Sequence, residues 1–109
     1  VYIQCSYNNG IDGLKFCWDA RKAAENLRRH GGSFEEAKGA FYDGFARVIS
    51  DPEPSKGEER FVLLGYSTAF RLLVVSHAYR EKEEEIRIIS ARKASKFERR
   101  QYEELIDER

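Results

Sequence analysis

With 109 residues, 41% of them hydrophobic and 35% charged, the chain is sized for one domain that hides roughly two-thirds of its unfolded surface, so a core needs neither disulfides nor a metal. Its 19 basic and 19 acidic residues cancel, which argues against a strongly basic nucleic-acid-binding domain. No apolar run approaches the ~18 residues of a membrane span, and two cysteines, Cys5 and Cys17, are not a secreted disulfide framework, so a cytoplasmic protein with reduced thiols is expected.

The charge is unevenly spread. Asp51–Glu59 and Glu81–Glu85 each hold four acids and one lysine, which leaves a net +6 for the remainder. If both acidic stretches are loops, the body can still present a basic face. The chain starts at Val1 and contains no Met, which predicts a processed or trimmed start.

In chain order, residues 1–13 carry Asn8, Asn9, Gly10 and Gly13 and predict an irregular lead-in; residues 14–109 form the single domain. Leu14–Trp18 predicts a short edge strand. Asp19 is placed to cap a helix whose apolar stripe is Ala20, Ala23, Ala24 and Leu27, ended by His30-Gly31-Gly32. Ser33-Phe34-Glu35-Glu36 has the form of a capping box, in which the serine accepts from the Glu36 N–H and the Glu36 carboxylate reaches back. Phe34, Ala37 and Phe41 continue that second helix, which Asp43-Gly44 closes.

Ala46–Ser50 predicts a strand, and Asp51–Gly57, with two prolines and a glycine, a loop. Arg60–Thr68 and Arg71–Tyr79 predict a hairpin joined by two residues. Glu81–Glu85 is the next turn and Ile86–Arg92 the next strand. Ser95-Lys96-Phe97-Glu98 repeats the capping box and opens a last helix with Tyr102, Leu105 and Ile106 inward. Two N-terminal helices, an antiparallel sheet of about four strands and a C-terminal helix make an α+β fold.

The chemistry is sparse. His30 and His77 are the only histidines, neither paired with a cysteine at ligand spacing, so no metal site is expected. There is no phosphate-binding glycine loop, no nucleophile elbow and no carboxylate set for magnesium; no cofactor is implied. What the pattern does offer is arginine near strand ends: Arg60, Arg71, Arg80, Arg87 and Arg92, with Lys93. Strict alternation puts Arg92 on one face with Ile86, Ile88 and Ser90, and Arg87 on the other with Ile89 and Ala91. Such guanidinium forks suit phosphate, and cations of this kind stabilise the charge built up when an RNA 2′-hydroxyl attacks its phosphorus. They equally suit edge protection and surface ion pairs.

Six ordered motifs carry a resemblance. Phe16-Cys17-Trp18-Asp19 with Lys22, Asn26 and Arg29-His30-Gly31 comes first, followed by Ser33-Phe34-Glu35-Glu36-Ala37 and by Phe41 with Asp43. Gly57-Glu58-Glu59-Arg60 precedes the hairpin, and Leu72-Leu73-Val74-Val75 lies within it. Ile86-Arg87-Ile88-Ile89-Ser90-Ala91-Arg92-Lys93-Ala94, then Glu98-Arg99 and Tyr102, completes the set. Together, over about Leu14 to Leu105, they resemble the BrnT family of RelE-like toxins.

The resemblance implies a RelE-like fold and a metal-independent endoribonuclease that inhibits translation by cleaving RNA. It also implies a ribbon-helix-helix, BrnA-like antitoxin partner, through which the complex binds promoter DNA, and no membrane association. Carried over by position, Arg92 and Arg60 stabilise the transition state, and Glu59, or Glu58, is a base if burial raises its pKa. His30, Lys22, Arg71 and Lys93 contact RNA, and Trp18 packs at the helix start. Two other readings remain: a catalytically weak module that binds the antitoxin and takes part in autoregulation, and a thiol enzyme using Cys17 and His30.

Overall fold

The computed structural model describes residues 3–7, 14–51, 58–79 and 85–107, with backbone only for 3–7 and 107. The elements run β1 (Ile3–Tyr7), β2 (Lys15–Asp19), α1 (Ala20–His30), α2 (Phe34–Ala40), β3 (Arg47–Ser50), β4 (Phe61–Tyr66), β5 (Leu72–Tyr79), β6 (Glu85–Lys93) and α3 (Lys96–Asp107). The α+β class and the placing of the three helices hold. The sheet differs from expectation: it has six strands in the order β1-β2-β6-β5-β4-β3, and β2 runs parallel to β6.

Two local expectations change with it. Ile3–Tyr7, inside the expected irregular lead-in, pairs antiparallel with β2. β2 is therefore not an edge strand but lies between β1 and β6. The cause is topological. The five residues of Lys15–Asp19 alone do not reveal a parallel partner some seventy residues away, whereas β4 and β5 are neighbours through a short turn. Of the loops expected from sequence, residues 52–57 and 80–84, including Arg80, lie outside the described residues.

One face of the sheet carries the core. Phe16, Trp18, Leu63, Leu73, Val75, Ile86, Ile88 and Ala91 meet Phe34, Ala37 and Ala40 of α2. Trp18 packs edge-on against Phe34 at 5.9 Å between ring centroids, the packing role expected of it. α2 lies so close to β4 that a Cβ at Gly65 would stand 2.9 Å from the Ala40 carbonyl, which only glycine allows. His77 is fully buried here, its Nδ1 3.2 Å from the Val75 carbonyl and its Nε2 without a partner. Burial pushes its pKa down, so it is kept neutral as part of the core.

The caps explain where the helices begin. Asp19 Oδ1 accepts from the N–H groups of Arg21 at 2.8 Å and Lys22 at 3.3 Å, and Gly31 ends α1 in the left-handed region at φ 72°. At α3 the box is complete: Ser95 Oγ accepts from the Glu98 N–H and Glu98 Oε1 from the Ser95 N–H. At α2 only half of it forms. Ser33 Oγ accepts from the Glu36 N–H, but the Glu36 carboxylate turns instead to Arg71 and to the Ser67 hydroxyl. A guanidinium is a stronger partner than one backbone N–H.

That diversion braces the hairpin turn, which spans Ser67–Arg71 rather than two residues. Ser67 N–H donates to the Arg71 carbonyl at 2.8 Å, and Ser67 Oγ accepts from the N–H groups of Ala69 and Arg71. Inside it Phe70 is held at φ 62° with its ring 86% exposed. An L-residue pays about 1–2 kcal/mol in this region, and glycine does not. Phe70→Gly is therefore expected to stabilise the protein by about 1 kcal/mol, raising Tm by about 4–8 °C; an unchanged or lower melting temperature would contradict the strain.

Candidate active site

α1 is bound to the sheet in a way that its apolar pattern does not suggest. Ala20, Ala24 and Leu27 face solvent, Leu27 with 52% of its surface exposed, and only Ala23 of the expected stripe packs on the core. The inward residue is Asn26. Its Nδ2 donates to the carbonyls of Ala91 at 2.8 Å and Gly32 at 3.0 Å, and its Oδ1 accepts from the Ala91 N–H at 3.1 Å. The reason lies in the sheet. β2 accompanies β6 only from Glu85 to Arg87, then turns away into α1. Ala91 would present an unpaired backbone edge, and the Asn26 amide completes it as a strand would.

With Asn26 against β6, the residues at i−4, i−1, i+3 and i+4 from it share its side of the helix. Lys22, Glu25, Arg29 and His30 accordingly line a cleft of about 150 Å³ with Ile89 and Ser90 of β6. Three basic side chains and one carboxylate stand there with no ion pair among the described residues. His30 lies in the last turn of α1 beside Arg28 and Arg29, where the helix carbonyl ends favour a cation.

β6 contributes a bulge. Ser76 pairs with Ser90 and His77 with Ile88, so Ile89 is the extra residue. The bulge shifts the alternation beyond it. Ala91 joins Ile86 and Ile88 on the core face, and Arg92 falls on the opposite face with Ser90 and Arg87. This corrects the face assignment expected from strict alternation. Arg92 consequently stands two residues, about 7 Å, along the strand from the cleft residue Ser90.

The sequence-derived candidates divide into two groups. Lys22 and His30 come together in the cleft. Arg92, Arg60 and Arg71 are each held by a carboxylate elsewhere. Arg92 makes a two-pronged contact with Glu98, both bonds 2.8 Å, which keeps the Glu98 carboxyl down to about 2 with help from the Ser95 N–H. Arg60 and Arg87 share Glu58, and chiefly the Arg87 hydrogen bond lowers its pKa. Glu58 thus has the opposite of the raised pKa a general base would need. Arg71 is bound to Glu36, whose pKa it lowers.

Arg87 and Arg92 lie opposite Ala78 and Val74 of β5, four residues or about 13 Å apart. Arg60 and Arg92 therefore do not meet at one reacting atom. Glu59 is exposed, as is Lys93, which follows Arg92. Cys17 is a buried thiol that donates to Glu85 Oε1 at 3.7 Å, on a different strand from the His30 cleft. Among the described residues no group of histidine, cysteine and carboxylate side chains could hold a metal ion, and no helix is long and apolar enough to cross a membrane.

Sequence reading missed Glu25, Arg29 as a cleft residue, and Ser90. The available signal was polar spacing: Lys22, Glu25, Asn26, Arg29 and His30 fall on one side of a 3.6-residue helix, a pattern obscured by the neighbouring apolar stripe.

Comparison with known proteins agrees with this architecture. Residues 18–98 match the family model described as the ribonuclease toxin BrnT of a type II toxin–antitoxin system. The chain is similar to the solved structure of the Brucella abortus ribonuclease toxin BrnT, with 25% identity and a TM-score of 0.55 over 72% of this chain and 94% of that one. No curated protein sequence matches the chain.

Proposed function

From its membership of the BrnT family of type II toxin–antitoxin toxins, we propose that this chain cleaves RNA without a metal ion, inhibits translation thereby, and binds the RNA phosphate in the α1–β6 cleft. The observation that carries the reading is the gathering of Lys22, Arg29 and His30 around Ser90 with no ion pair among the described residues. Cations fixed in advance around a phosphoryl group stabilise the charge that develops there. Arg92, beside Ser90 on the same face, would extend this surface to a neighbouring phosphate, with Lys93 next to it. Its hold on Glu98 ties that contact to the start of α3. Arg60 and Arg71 serve as ion-paired supports of the sheet, with Glu59 solvent-facing beside Arg60. The antitoxin partner is expected to be of the ribbon-helix-helix class and to carry promoter DNA binding for the pair.

The test is cleavage of a labelled RNA by the purified, partner-free protein, with and without EDTA, beside Lys22→Ala, Arg29→Ala and Arg92→Ala. EDTA-resistant cleavage is expected, with losses on the order of 10²-fold in kcat for the two cleft variants and a smaller loss for Arg92→Ala. Cleavage abolished by EDTA would overturn the metal-independent mechanism. A folded protein that cleaves RNA neither free nor on ribosomes, and does not arrest growth, would instead support a catalytically weak antitoxin-binding module.

A further inference from the structure

Metal-free cleavage of RNA needs a proton acceptor for the 2′-hydroxyl and a proton donor for the 5′-oxygen, standing on opposite sides of the phosphorus. Among the described residues, two side chains of the cleft combine proton exchange with a position beside its cations: Glu25 and His30. They are five residues apart, about 7.5 Å along the helix axis. The row Lys22, Asn26 and Arg29 lies between them around the helix.

Resting on the ribonuclease reading above, the geometry points to Glu25 as the general base and His30 as the general acid of this cleft. The 2′-oxygen attacks phosphorus and gives its proton to the Glu25 carboxylate. The bond from phosphorus to the 5′-oxygen breaks, and the leaving oxygen takes the proton of the His30 imidazolium. The products are a 2′,3′-cyclic phosphate and a 5′-hydroxyl, with no outside co-reactant. Lys22 and Arg29 hold the non-bridging oxygens, and Ser90 supplies a neutral hydroxyl.

The division of roles follows from the groups themselves. A carboxylate ordinarily stands ionised at neutral pH and accepts a proton, whereas an imidazole exchanges one near neutrality. From β6 the cleft is faced only by Ile89 and Ser90. The nearest charged groups on that face are Arg92, held by Glu98 of α3, and Arg87, which shares Glu58 with Arg60, so both guanidinium groups are already engaged by carboxylates.

The deciding experiment is single-turnover cleavage of labelled RNA, free and on translating ribosomes, from about pH 5 to pH 9, with the new ends identified by mass. The exposed Glu103 of α3 supplies the control, Glu103→Gln, which is expected to match the wild type. The wild type is expected to give a bell-shaped profile and cyclic-phosphate ends. Glu25→Gln is expected to lose on the order of 10²-fold in rate and the acid limb, and His30→Gln a similar factor and the alkaline limb. Wild-type cleavage with either variant within about threefold of it, or with its limb retained, would overturn the pair while leaving the ribonuclease reading intact. Ends carrying a 3′-hydroxyl and 5′-phosphate would do the same. No cleavage by folded wild-type protein in either setting would overturn the ribonuclease reading and the pair with it.

Discussion

Asn26→Leu is expected to cost about 3–4 kcal/mol of folding stability, because three backbone groups lose their partner at once. The amide donates to the Ala91 and Gly32 carbonyls and accepts from the Ala91 N–H in a buried position. Leucine has similar bulk but none of these bonds, and each buried group left unpaired costs about 1–3 kcal/mol; partial hydration from the cleft keeps the sum at the lower end. Against a total stability of about 5–15 kcal/mol this is a large share. Asn26→Asp should be almost as harmful. It keeps an acceptor for the Ala91 N–H but turns a second carboxylate oxygen, in place of the amide donor, toward two carbonyls.

Thermal unfolding measures the effect directly, with a drop in Tm of more than about 12 °C expected for Asn26→Leu. A fall of only two or three degrees would mean that the amide is not what fixes α1 to β6. The same variant, assayed in the cold where it stays folded, should also lose cleavage, since Lys22, Glu25, Arg29 and His30 reach the cleft only through this attachment.

The second large effect is acid lability. Glu98 titrates near 2 in the folded protein, chiefly because Arg92 hydrogen-bonds its ionised form, against an ordinary value of 4.5. Between those values the unfolded chain binds the proton more tightly, so stability present above about pH 4.5 drains away as the pH falls toward 2. Taken in full the shift corresponds to about 3 kcal/mol, and partial solvent screening reduces this to about 1–2 kcal/mol. Glu36 and Glu58, also lowered by arginine partners, act in the same direction. His77, whose pKa burial pushes down, adds to the loss because charging it in the core is unfavourable. Melting temperatures from neutral pH to about pH 3 are therefore expected to fall steeply. Glu98→Gln should be less stable near neutrality and show a shallower slope, its deficit closing toward low pH. Parallel curves for the two proteins would show that the Arg92–Glu98 contact contributes nothing to folding.

That contact also bears on how Arg92 is to be read. A guanidinium already satisfied by a carboxylate can organise a helix start and an RNA-facing surface together, so loss of activity in Arg92→Ala needs a melting curve beside it. Lys22 and Arg29, exposed and without ion pairs among the described residues, carry no such ambiguity.

The features legible in the residue order are local. Asp19 starts α1, Ser33 and Ser95 start α2 and α3, Gly31 stops α1, and the Val- and Leu-rich runs after Arg60 and Arg71 pair as a hairpin. Each of these depends on partners within a few residues, and the ordered motifs from Phe16 to Tyr102 identified the family. Tertiary structure decided what those elements face. It inserted β2 in parallel beside β6, and it drew Glu36 from its own helix start to Arg71. At Ile89 it added the bulge that moved Arg92 to the other face. The polar rather than the apolar side of α1 lies against β6 because an unpaired strand edge there required an amide, and hydrophobic periodicity carries no record of a hydrogen bond between residues 26 and 91.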